Sequence, residues 1–483
     1  MKPKFQFLAA WIAVAALLLS LLSCGDAPAG GISDTGTASG TTADLAVTSA
    51  SSLEPDDAGE PTAVMIDVIR DQKSSYRFVY GQDEDIRTVG DYLRYIREQT
   101  GCMLRDTDDS LPPADHPEIL FGETNRSESK DLYATLGPRE YAAAVVNGQI
   151  VLAGSDAYAL SLAFAEFCRA ARCETGFTIA DNFAVWGSYT LPGDSYPVAV
   201  TDQENLEIVV YDLAKGALTE DAVIKRFPAF SSVGYEAAGM RFRMWNDRQV
   251  MLAVGRNHAE MVDWNSGELL WEYTGELIWN AHAVELLPNG VIAVAGSTGN
   301  NLTFFDSADR DNQSPVRLEM TDAHGVVWDP AQSLLWACGG NRLRAFSVEL
   351  TNGVIAVQEQ TSRAFQLPEA GVHDLQPVYG RAGLYWVSTA KSLFVFDSAA
   401  GVLSPAGLEG VEQANIKGIG NFADGVLVQT VANASAESWN TDRILLYLYN
   451  EELDWYIMLP LLSPSASLYK LRVVNFEYHS SAA

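Results

Sequence analysis

The chain has 483 residues, too many for one ordinary hydrophobic core, so its length predicts two or three folded units. It carries 32 Lys and Arg against 62 Asp and Glu, a formal net charge of −30. This acidic balance repels nucleic-acid phosphates and anionic membrane surfaces. Nucleic acid is therefore not expected as a partner, whereas a local cationic pocket for an acidic small ligand remains compatible with the total charge.

The N-terminus has the plan of an export signal. Two lysines precede an apolar run over 7–22, and this run of about 16 residues is short for a membrane span of ~20. The end of the run resembles the lipobox of bacterial lipoproteins in Leu21, Ser23 and Cys24, where cleavage precedes a cysteine that is then diacylated. The resemblance implies a signal peptide over 1–23, lipidation at Cys24 and an extracytoplasmic, membrane-anchored chain. An uncleaved anchor is the alternative.

Residues 24–61 are dominated by small and polar side chains, with little to bury, which predicts a disordered tether. The cysteines after Cys24 show no zinc-type spacing. Buried, inert thiols are the first interpretation of these cysteines, and a local disulfide between Cys168 and Cys173, at the end of a predicted helix, is the alternative.

Residues 62–194 alternate between strand and helix patterns, which predicts a small α/β domain with helices covering one sheet face. The expected hairpin turns at Asn147-Gly148, since that dipeptide tolerates the positive φ values of a type I′ turn. The predicted elements are strands at 76–81 and 118–123, helices at 85–101 and 156–172, and a hairpin over 140–154.

The order of these elements carries a resemblance. The segments PEILFGETNRSES at 117–129 and YAAAVVNGQIVLAGSDAYALSLAFAEF at 141–167 resemble the small non-catalytic domain that precedes the catalytic barrel of α-glucuronidases and β-N-acetylhexosaminidases. No βα-barrel pattern follows here, and that family's catalytic carboxylates lie in the barrel. The resemblance therefore implies an accessory domain associated with carbohydrate, without the hydrolytic activity.

From residue 195 onward, short β-branched and aromatic runs recur between turns. One basic position returns at His282, His324, His373 and Lys417, at intervals of 42, 49 and 44 residues. Periods of this size predict a β-propeller with four strands in each blade. Stretches such as HGVVWDP resemble the strand starts of YncE-like and WD40-like bacterial propellers. The fold class predicted is thus multidomain: a small α/β domain, then an all-β propeller over 195–478.

The two ends of this region predict how the propeller closes. The first segments supply three strands, and SLYKLRVVNF at 467–476 is a spare strand at the C-terminus. We expect the C-terminal strand to complete the first blade, giving six blades without exposed edges.

The recurring basic position predicts a ligand site at one rim of the central channel. For the earliest blade, the position follows from matching VMLAVG at 250–255 to VIAVAG at 291–296, an offset of 41. The predicted ligand-binding residues are Arg241, His282, His324, His373, Lys417 and Lys470. Three tryptophans near the predicted rim strands would either stack on sugar rings or belong to the blade cores: Trp245, Trp279 and Trp328.

Several hypotheses fit this rim. Arg, Lys and hydrogen-bonding His suit non-catalytic capture of a carboxylate or sulfate, such as a uronic acid in a surface carbohydrate, with no cofactor. Three neutral imidazoles, at His282, His324 and His373, would instead hold a divalent transition metal. That arrangement resembles oligogalacturonate lyases, which implies that Arg241 or Lys417 holds the uronate and takes the proton next to its carboxylate. The same residues could also serve a purely structural role, or the propeller could be a protein-interaction scaffold.

Overall fold

The computed structural model describes residues 47–49, 63–82, 84, 86–113, 115–228, 230, 234–433 and 438–478. The predicted signal peptide over 1–23, the lipidation at Cys24 and most of the predicted tether over 24–61 lie outside these residues. Within the tether, Val47–Ser49 forms a strand, β1, that pairs antiparallel with residues 187–189. The sequence pattern predicted no strand here; two of the three residues are β-branched types that favour strands.

The N-terminal part of the described chain mixes strands and helices. The strands are β2 (Met65–Arg70), β3 (Arg77–Tyr80), β4 (Arg105–Asp108), β5 (Glu118–Phe121), β6 (Glu140–Val146), β7 (Gln149–Gly154), β8 (Arg172–Cys173), β9 (Gly176–Ala180) and β10 (Ala184–Tyr189). The helices are α1 (Ile86–Thr100), α2 (Ser127–Tyr133) and α3 (Ala157–Ala171).

These strands form a seven-stranded sheet in the order β1-β10-β6-β7-β5-β3-β4 and a smaller sheet, β2-β9-β8. Strands β4, β3, β5 and β7 run parallel, as expected where helices connect them. The hairpin between β6 and β7 turns at Asn147 and Gly148, whose φ values of 52° and 78° are those the predicted turn requires. Helix α3 begins where the Asp156 side chain accepts from the Ala159 amide at 2.8 Å.

The helical layer packs against the C-terminal part of the chain. Tyr92 of α1 contacts Phe164 of α3 and Trp455, with ring centroids 4.7 and 5.7 Å apart. The amide of Asn450 donates to the Ser161 hydroxyl at 3.0 Å, a buried contact across the same boundary. One hydrophobic core therefore runs through both parts of the described chain.

The rest of the described chain is almost entirely β. Its strands are β11 (Pro197–Asp202), β12 (Glu207–Asp212), β13 (Val223–Pro228), β14 (Gly239–Trp245), β15 (Arg248–Gly255), β16 (His258–Asp263), β17 (Leu269–Thr274), β18 (Ala281–Leu286), β19 (Val291–Gly296), β20 (Asn301–Asp306), β21 (Val316–Glu319), β22 (Ala323–Asp329), β23 (Leu334–Gly339), β24 (Arg342–Thr351), β25 (Val354–Glu359), β26 (Phe365–Gln366), β27 (Asp374–Pro377), β28 (Leu384–Ser388), β29 (Leu393–Asp397), β30 (Val402–Pro405), β31 (Ile416–Asn421), β32 (Leu427–Val431), β33 (Arg443–Asn450), β34 (Trp455–Leu462) and β35 (Leu468–Val473).

These strands form antiparallel sheets of four, as the repeat period predicted. The orders are β13-β12-β11-β35, β14 to β17, β18 to β21, β22 to β25 with β26 added beside β24, β27 to β30, and β31 to β34. Strand β35 pairs with β11, so the C-terminal strand completes the first sheet as expected. The fold of this part is propeller-like and all-β.

The first strands of successive sheets lie beside one another. Contacts join β14 to β18, β18 to β22, β22 to β27 and β27 to β31, and β35 contacts both β31 and β14. Side chains at the beginning of these strands are thereby brought to one place, although they are far apart in the sequence.

The cysteines of the described chain are free. Cys168 is buried in α3 and Cys173 is exposed in β8, so the interpretation of a disulfide between them is wrong. Among the described residues, no helix has the length and apolar character needed to cross a membrane.

Candidate functional site

The recurring basic position is a β-bulge in three of the sheets. The register shifts between Ala281 and Ala283, between Ala323 and Gly325, and between Ile416 and Gly418. His282, His324 and Lys417 are therefore extra residues, opposed by no partner on the neighbouring strand. A bulge re-aims its side chain, and this directs all three toward the place where the first strands begin.

Two further basic residues lie beside these three but are placed by different local backbone structure. His373 immediately precedes β27, where its amide donates to the Ser388 carbonyl at 2.9 Å. Lys470 lies in an irregular stretch of β35, where the register against β11 shifts between Val200 and Asp202. We call His282, His324, His373, Lys417 and Lys470 the basic cluster.

The imidazoles of the basic cluster stand in a row. The ring centroids of His282 and His324 are 4.6 Å apart, and those of His324 and His373 are 5.2 Å apart. Tyr469 closes one end, with its hydroxyl 3.1 Å from His282 Nδ1. Lys417 closes the other end, with its Nζ 2.9 Å from His373 Nε2.

The contact with Lys417 fixes the protonation of His373. An ammonium group has donors and no acceptor, so His373 Nε2 accepts and the ring carries its proton on Nδ1. Burial and the charge of Lys417 lower the pKa of His373 to about 3, which keeps the ring neutral. His373 Nδ1 is buried and has no hydrogen-bond partner in the described chain, which leaves one donor of the cluster unpaired.

Lys470 is fully buried beneath the histidines. Its Nζ donates to the His373 carbonyl at 2.6 Å and to the His324 carbonyl at 3.3 Å, and Asp374 Oδ1 lies 3.5 Å away. Burial lowers the pKa of Lys470 to about 8. At neutral pH the cluster therefore holds this ammonium close to a carboxylate that it shares with Arg472.

Lys417 has no carboxylate partner among the described residues; its Nζ contacts only His373 there. Burial lowers the pKa of Lys417 to about 8, so the group is mainly charged at neutral pH and titrates just above it. Burying an ammonium that has one acceptor for its three donors is unfavourable in free energy, and a bound anion would offset this penalty. Besides Asp374, which lies beside Lys470, a second carboxylate touches the cluster. Asp322 Oδ1 lies 3.3 Å from His324 Nδ1, and this side chain is 41% exposed.

Unlike the other predicted ligand-binding residues, Arg241 does not lie in the basic cluster. The offset of 41 residues holds between β15 and β19, the second strands of their sheets, where Val254 aligns with Ala295. The hairpins that lead into these strands differ, because β14 joins β15 through a two-residue turn at Asn246 and Asp247, whereas the turn between β18 and β19 is longer. The same offset therefore does not align β14 with β18. Arg241 pairs with Leu252 in regular strand and lies deeper than the basic cluster, in contact with Glu285. It is therefore not part of the rim.

Beneath the basic cluster lies a group of buried ionic side chains that sequence reasoning missed. Arg243 forms a two-point ion pair with Glu285 at 2.8 and 2.6 Å, and Arg472 pairs with Asp374 at 2.9 Å through both of its terminal nitrogens. We call Arg241, Arg243, Glu285, Asp374 and Arg472 the buried charge layer. Its signal in the sequence is the charged residue at alternate positions of otherwise apolar first strands, as in RFRMW at 241–245.

Gln376 connects the two halves of the buried charge layer. Its oxygen accepts from Arg241 at 2.8 Å, and its nitrogen donates to Asp374 at 3.0 Å. Arg241 also donates to the Val326 carbonyl at 3.0 Å. The layer thus ties β14, β18, β22, β27 and β35 together and supports the basic cluster from below.

The hypothesis of a metal held by His282, His324 and His373 finds no matching geometry. Among the described residues, no group of three His, Cys, Asp or Glu side chains is arranged to hold a metal ion. His373 Nε2 already faces the Lys417 ammonium, and both ring nitrogens of His282 have partners, Tyr469 and Asn280. A dication would also meet the adjacent lysine charge.

Of the three tryptophans predicted near the rim, one is exposed beside the cluster. Trp279 stands three residues before His282 and is 43% exposed, whereas Trp328 is buried and Trp245 lies at the opposite end of β14. Asn280, which follows Trp279, contacts His282 Nε2 at 3.2 Å. An exposed aromatic residue therefore precedes, in the chain, a residue that contacts the row of imidazoles.

Comparison with known proteins places the chain in a family. A model described as a family of unknown function (DUF6528) matches residues 178–447. No curated protein matches the sequence. A solved protein of unknown function from Bacteroides caccae is 11% identical, with a TM-score of 0.40, over 58% of this chain and 98% of that chain. The WD40 repeats of RRP9 are 10% identical, with a TM-score of 0.33, over 49% and 69% of the respective chains. Since the family model spans more than half of the sequence, the chain belongs to the family of unknown function DUF6528.

Proposed function

We propose that this chain is a non-catalytic binding protein that captures the carboxylate of an acidic carbohydrate at the basic cluster. The observation that carries the proposal is the pair formed by Lys417 and His373. It presents an ammonium without a carboxylate partner in the described chain. One donor of this ammonium faces His373 Nε2 at 2.9 Å, which leaves the other two for a ligand. Charge-assisted hydrogen bonds from such donors to a carboxylate are among the stronger polar contacts in proteins.

The proposed architecture is a closed propeller of six blades. The pairing of β35 with β11 and the contacts of β35 with both β31 and β14 support closure of the ring. In this arrangement the basic cluster surrounds one mouth of the central channel, and the buried charge layer fills the channel below it. A ligand would then reach the cluster only from the mouth.

The shape of the site favours capture of one acidic group rather than a whole sugar. Lys417 and Lys470 are buried, whereas His282 and His373 keep part of their surface exposed. A uronate would place its carboxylate among these donors while its ring stays outside. Trp279, with its exposed face, supplies a surface on which the ring would stack.

The proposal extends to the N-terminal part of the chain. A lipid anchor at Cys24 would place the protein outside the cytoplasm, attached to the bacterial membrane. The layer over 62–194 would be an accessory domain similar to that of glycoside hydrolases. Its shared core with the last sheet, through Tyr92 and Trp455, supports a rigid presentation of the propeller.

Two competing functions receive less support. An activity like that of the oligogalacturonate lyases depends on a metal that the three histidines do not suit. A protein-interaction scaffold would need a contiguous exposed apolar patch. The exposed large apolar side chains of the outer strands are instead found singly, one on each of several sheets: Ile224, Leu269, Val354, Val402 and Leu462.

Calorimetric titration at pH 6.5 tests the proposal, with galacturonate as the acidic ligand and galactose as its neutral match. We expect galacturonate to bind and galactose not to bind. Lys417→Met should weaken galacturonate binding about tenfold to a hundredfold, because a hydrogen bond to a charged group contributes about 1.5–3 kcal/mol. Lys391→Met, which removes an exposed lysine from a turn, is the control and should bind normally. Equal affinities for the two sugars, or for the two variants, would overturn the proposal.

A further inference from the structure

A small cavity lies within the buried charge layer. Its volume is about 10 Å³, and Arg241, Gln376, Tyr379 and Arg472 are among the residues that line it. A cavity of this size holds about one water molecule or one monatomic ion, and it is too small for a carboxylate-bearing ligand. It is therefore a different place from the basic cluster.

The charges around this cavity do not balance. Arg241 and Arg243 share one carboxylate, that of Glu285, since Arg241 Nε lies 3.4 Å and Arg243 2.6 Å from the same Glu285 oxygen. Arg472 and Lys470 likewise share Asp374. Four buried cations thus face two buried carboxylates, and a buried charge without a counter-ion is strongly unfavourable.

The hydrogen-bond donors around the cavity are also incomplete. Arg241 and Arg472 are 3% and 4% exposed, and the Nε of Arg472 is buried without a hydrogen-bond partner in the described protein. The Nε of Arg241 makes no hydrogen bond there and has only the 3.4 Å ion-pair contact with Glu285. Buried guanidinium donors are normally satisfied, so incomplete donors on two residues that line a cavity indicate a missing acceptor. Burial, together with proximity to Arg243 and Arg472, lowers the pKa of Arg241 to about 10, which reflects the same excess of positive charge.

We infer that this cavity binds a monatomic anion, chloride or another halide, between Arg241 and Arg472. A halide accepts from several donors at once and supplies the negative charge that the layer lacks. A water molecule would satisfy the donors but would leave the charge uncompensated. The inference does not depend on the proposed function, because it concerns groups below the rim that a carbohydrate would not reach.

Bromide provides the direct test. In crystals of the wild-type chain grown with sodium bromide, we expect an anomalous difference peak in the cavity between Arg241 and Arg472. Density there without an anomalous signal would mean a water molecule and would overturn the inference. A cavity without density would overturn it as well.

Thermal unfolding supplies a second readout in solution. Replacing sodium methanesulfonate, whose anion is too large for the cavity, with sodium chloride at constant ionic strength should raise the unfolding temperature by about 2–4 °C. Arg241→Met should abolish this shift, because it removes one cation and leaves the Arg243–Glu285 pair intact. Arg248→Met removes an exposed arginine from the neighbouring strand and should retain the shift. An equal chloride effect in Arg241→Met would contradict the inference.

The two sites can be separated by one further variant. Lys417→Met should weaken galacturonate binding but keep both the bromide peak and the chloride shift. If galacturonate fails to bind the wild type while bromide occupies the cavity, the proposed function fails and the anion site stands. If Arg241→Met does not fold, the bromide experiment on the wild type decides the inference alone.

Discussion

Affinity for an acidic sugar should fall as the pH rises through about 8, and the cause lies in two buried lysines. Burial lowers the pKa of both Lys417 and Lys470 to about 8, from an ordinary value of 10.5. Each ammonium is therefore present below pH 8 and is lost above it. The galacturonate carboxylate stays ionised throughout, and burial keeps the pKa of His373 far below this range.

The magnitude follows from the fraction of each lysine that remains charged. At pH 9, one unit above the pKa, about a tenth of each free ammonium is left, so a site needing one of them binds about tenfold more weakly than at pH 6.5. A site needing both binds about a hundredfold more weakly. An ordinary exposed lysine would stay charged at pH 9 and give almost no change.

Titration calorimetry between pH 6.5 and 9 measures this dependence, and Lys417→Arg identifies its source. Arginine keeps its charge over the whole range, so this variant should lose the share of the decline that belongs to Lys417. The roughly tenfold fall that belongs to Lys417 should then be absent. A wild-type affinity that does not change up to pH 9, or a Lys417→Arg profile identical to the wild type, would refute the reasoning.

Three further predictions concern the same groups. Arg243→Met should destabilise the chain by about 3–5 kcal/mol in urea unfolding, because it leaves the fully buried Glu285 without its two-point partner. The control Arg248→Met removes an exposed arginine and should change stability by less than about 0.5 kcal/mol. Similar losses in the two variants would contradict a special role for the buried pair. Asp322→Asn should strengthen galacturonate binding about twofold to fivefold, since it removes the partly exposed carboxylate beside His324. Weaker binding of this variant in calorimetry would argue against an anion site. The pKa of His373 is lowered to about 3, so between pH 6.5 and 3 the unfolded chain binds a proton that the folded chain does not, which favours unfolding by up to about 1.4 kcal/mol per pH unit. His373→Gln should therefore lose less stability than the wild type between pH 7 and pH 5 in urea unfolding. Equal losses in the two chains would speak against a neutral buried ring.

The sequence predicted the parts of the fold that depend on local chemistry. The turn at Asn147-Gly148 followed from the backbone freedom of that pair, and α3 followed from its apolar stripe. The four-stranded repeats followed from their period, because each sheet buries the same pattern of residues. The pairing of β35 with β11 followed from counting strands, since a repeat left incomplete at one end has to be completed from the other.

The sequence predicted the members of the basic cluster wherever the repeats align without insertions as far as the β-bulge in the first strand. His282, His324 and Lys417 occupy equivalent bulges, so the repeat alignment brought them together correctly. It failed at Arg241, because a two-residue turn shortens that hairpin and no feature of the second strand reveals the change. The true equivalent of Arg241 in the next sheet is Glu285, which pairs opposite Ala293 as Arg241 pairs opposite Leu252.

The sequence marks the buried charge layer by charged residues at alternate positions of apolar strands, but its ion pairs could not be derived from sequence patterns. Its ion pairs join residues as distant as Asp374 and Arg472, and nothing local indicates which cation meets which carboxylate. The protonation of His373 was equally hidden, since it depends on Lys417 lying 2.9 Å from one particular ring nitrogen. Packing between neighbouring sheets sets both features.

A crystal structure of the chain soaked with galacturonate tests the central claim most directly. We predict a carboxylate oxygen within hydrogen-bond distance of Lys417 Nζ, with the sugar ring outside the basic cluster. Galacturonate bound at another surface, or an unchanged basic cluster at saturating ligand, would contradict it.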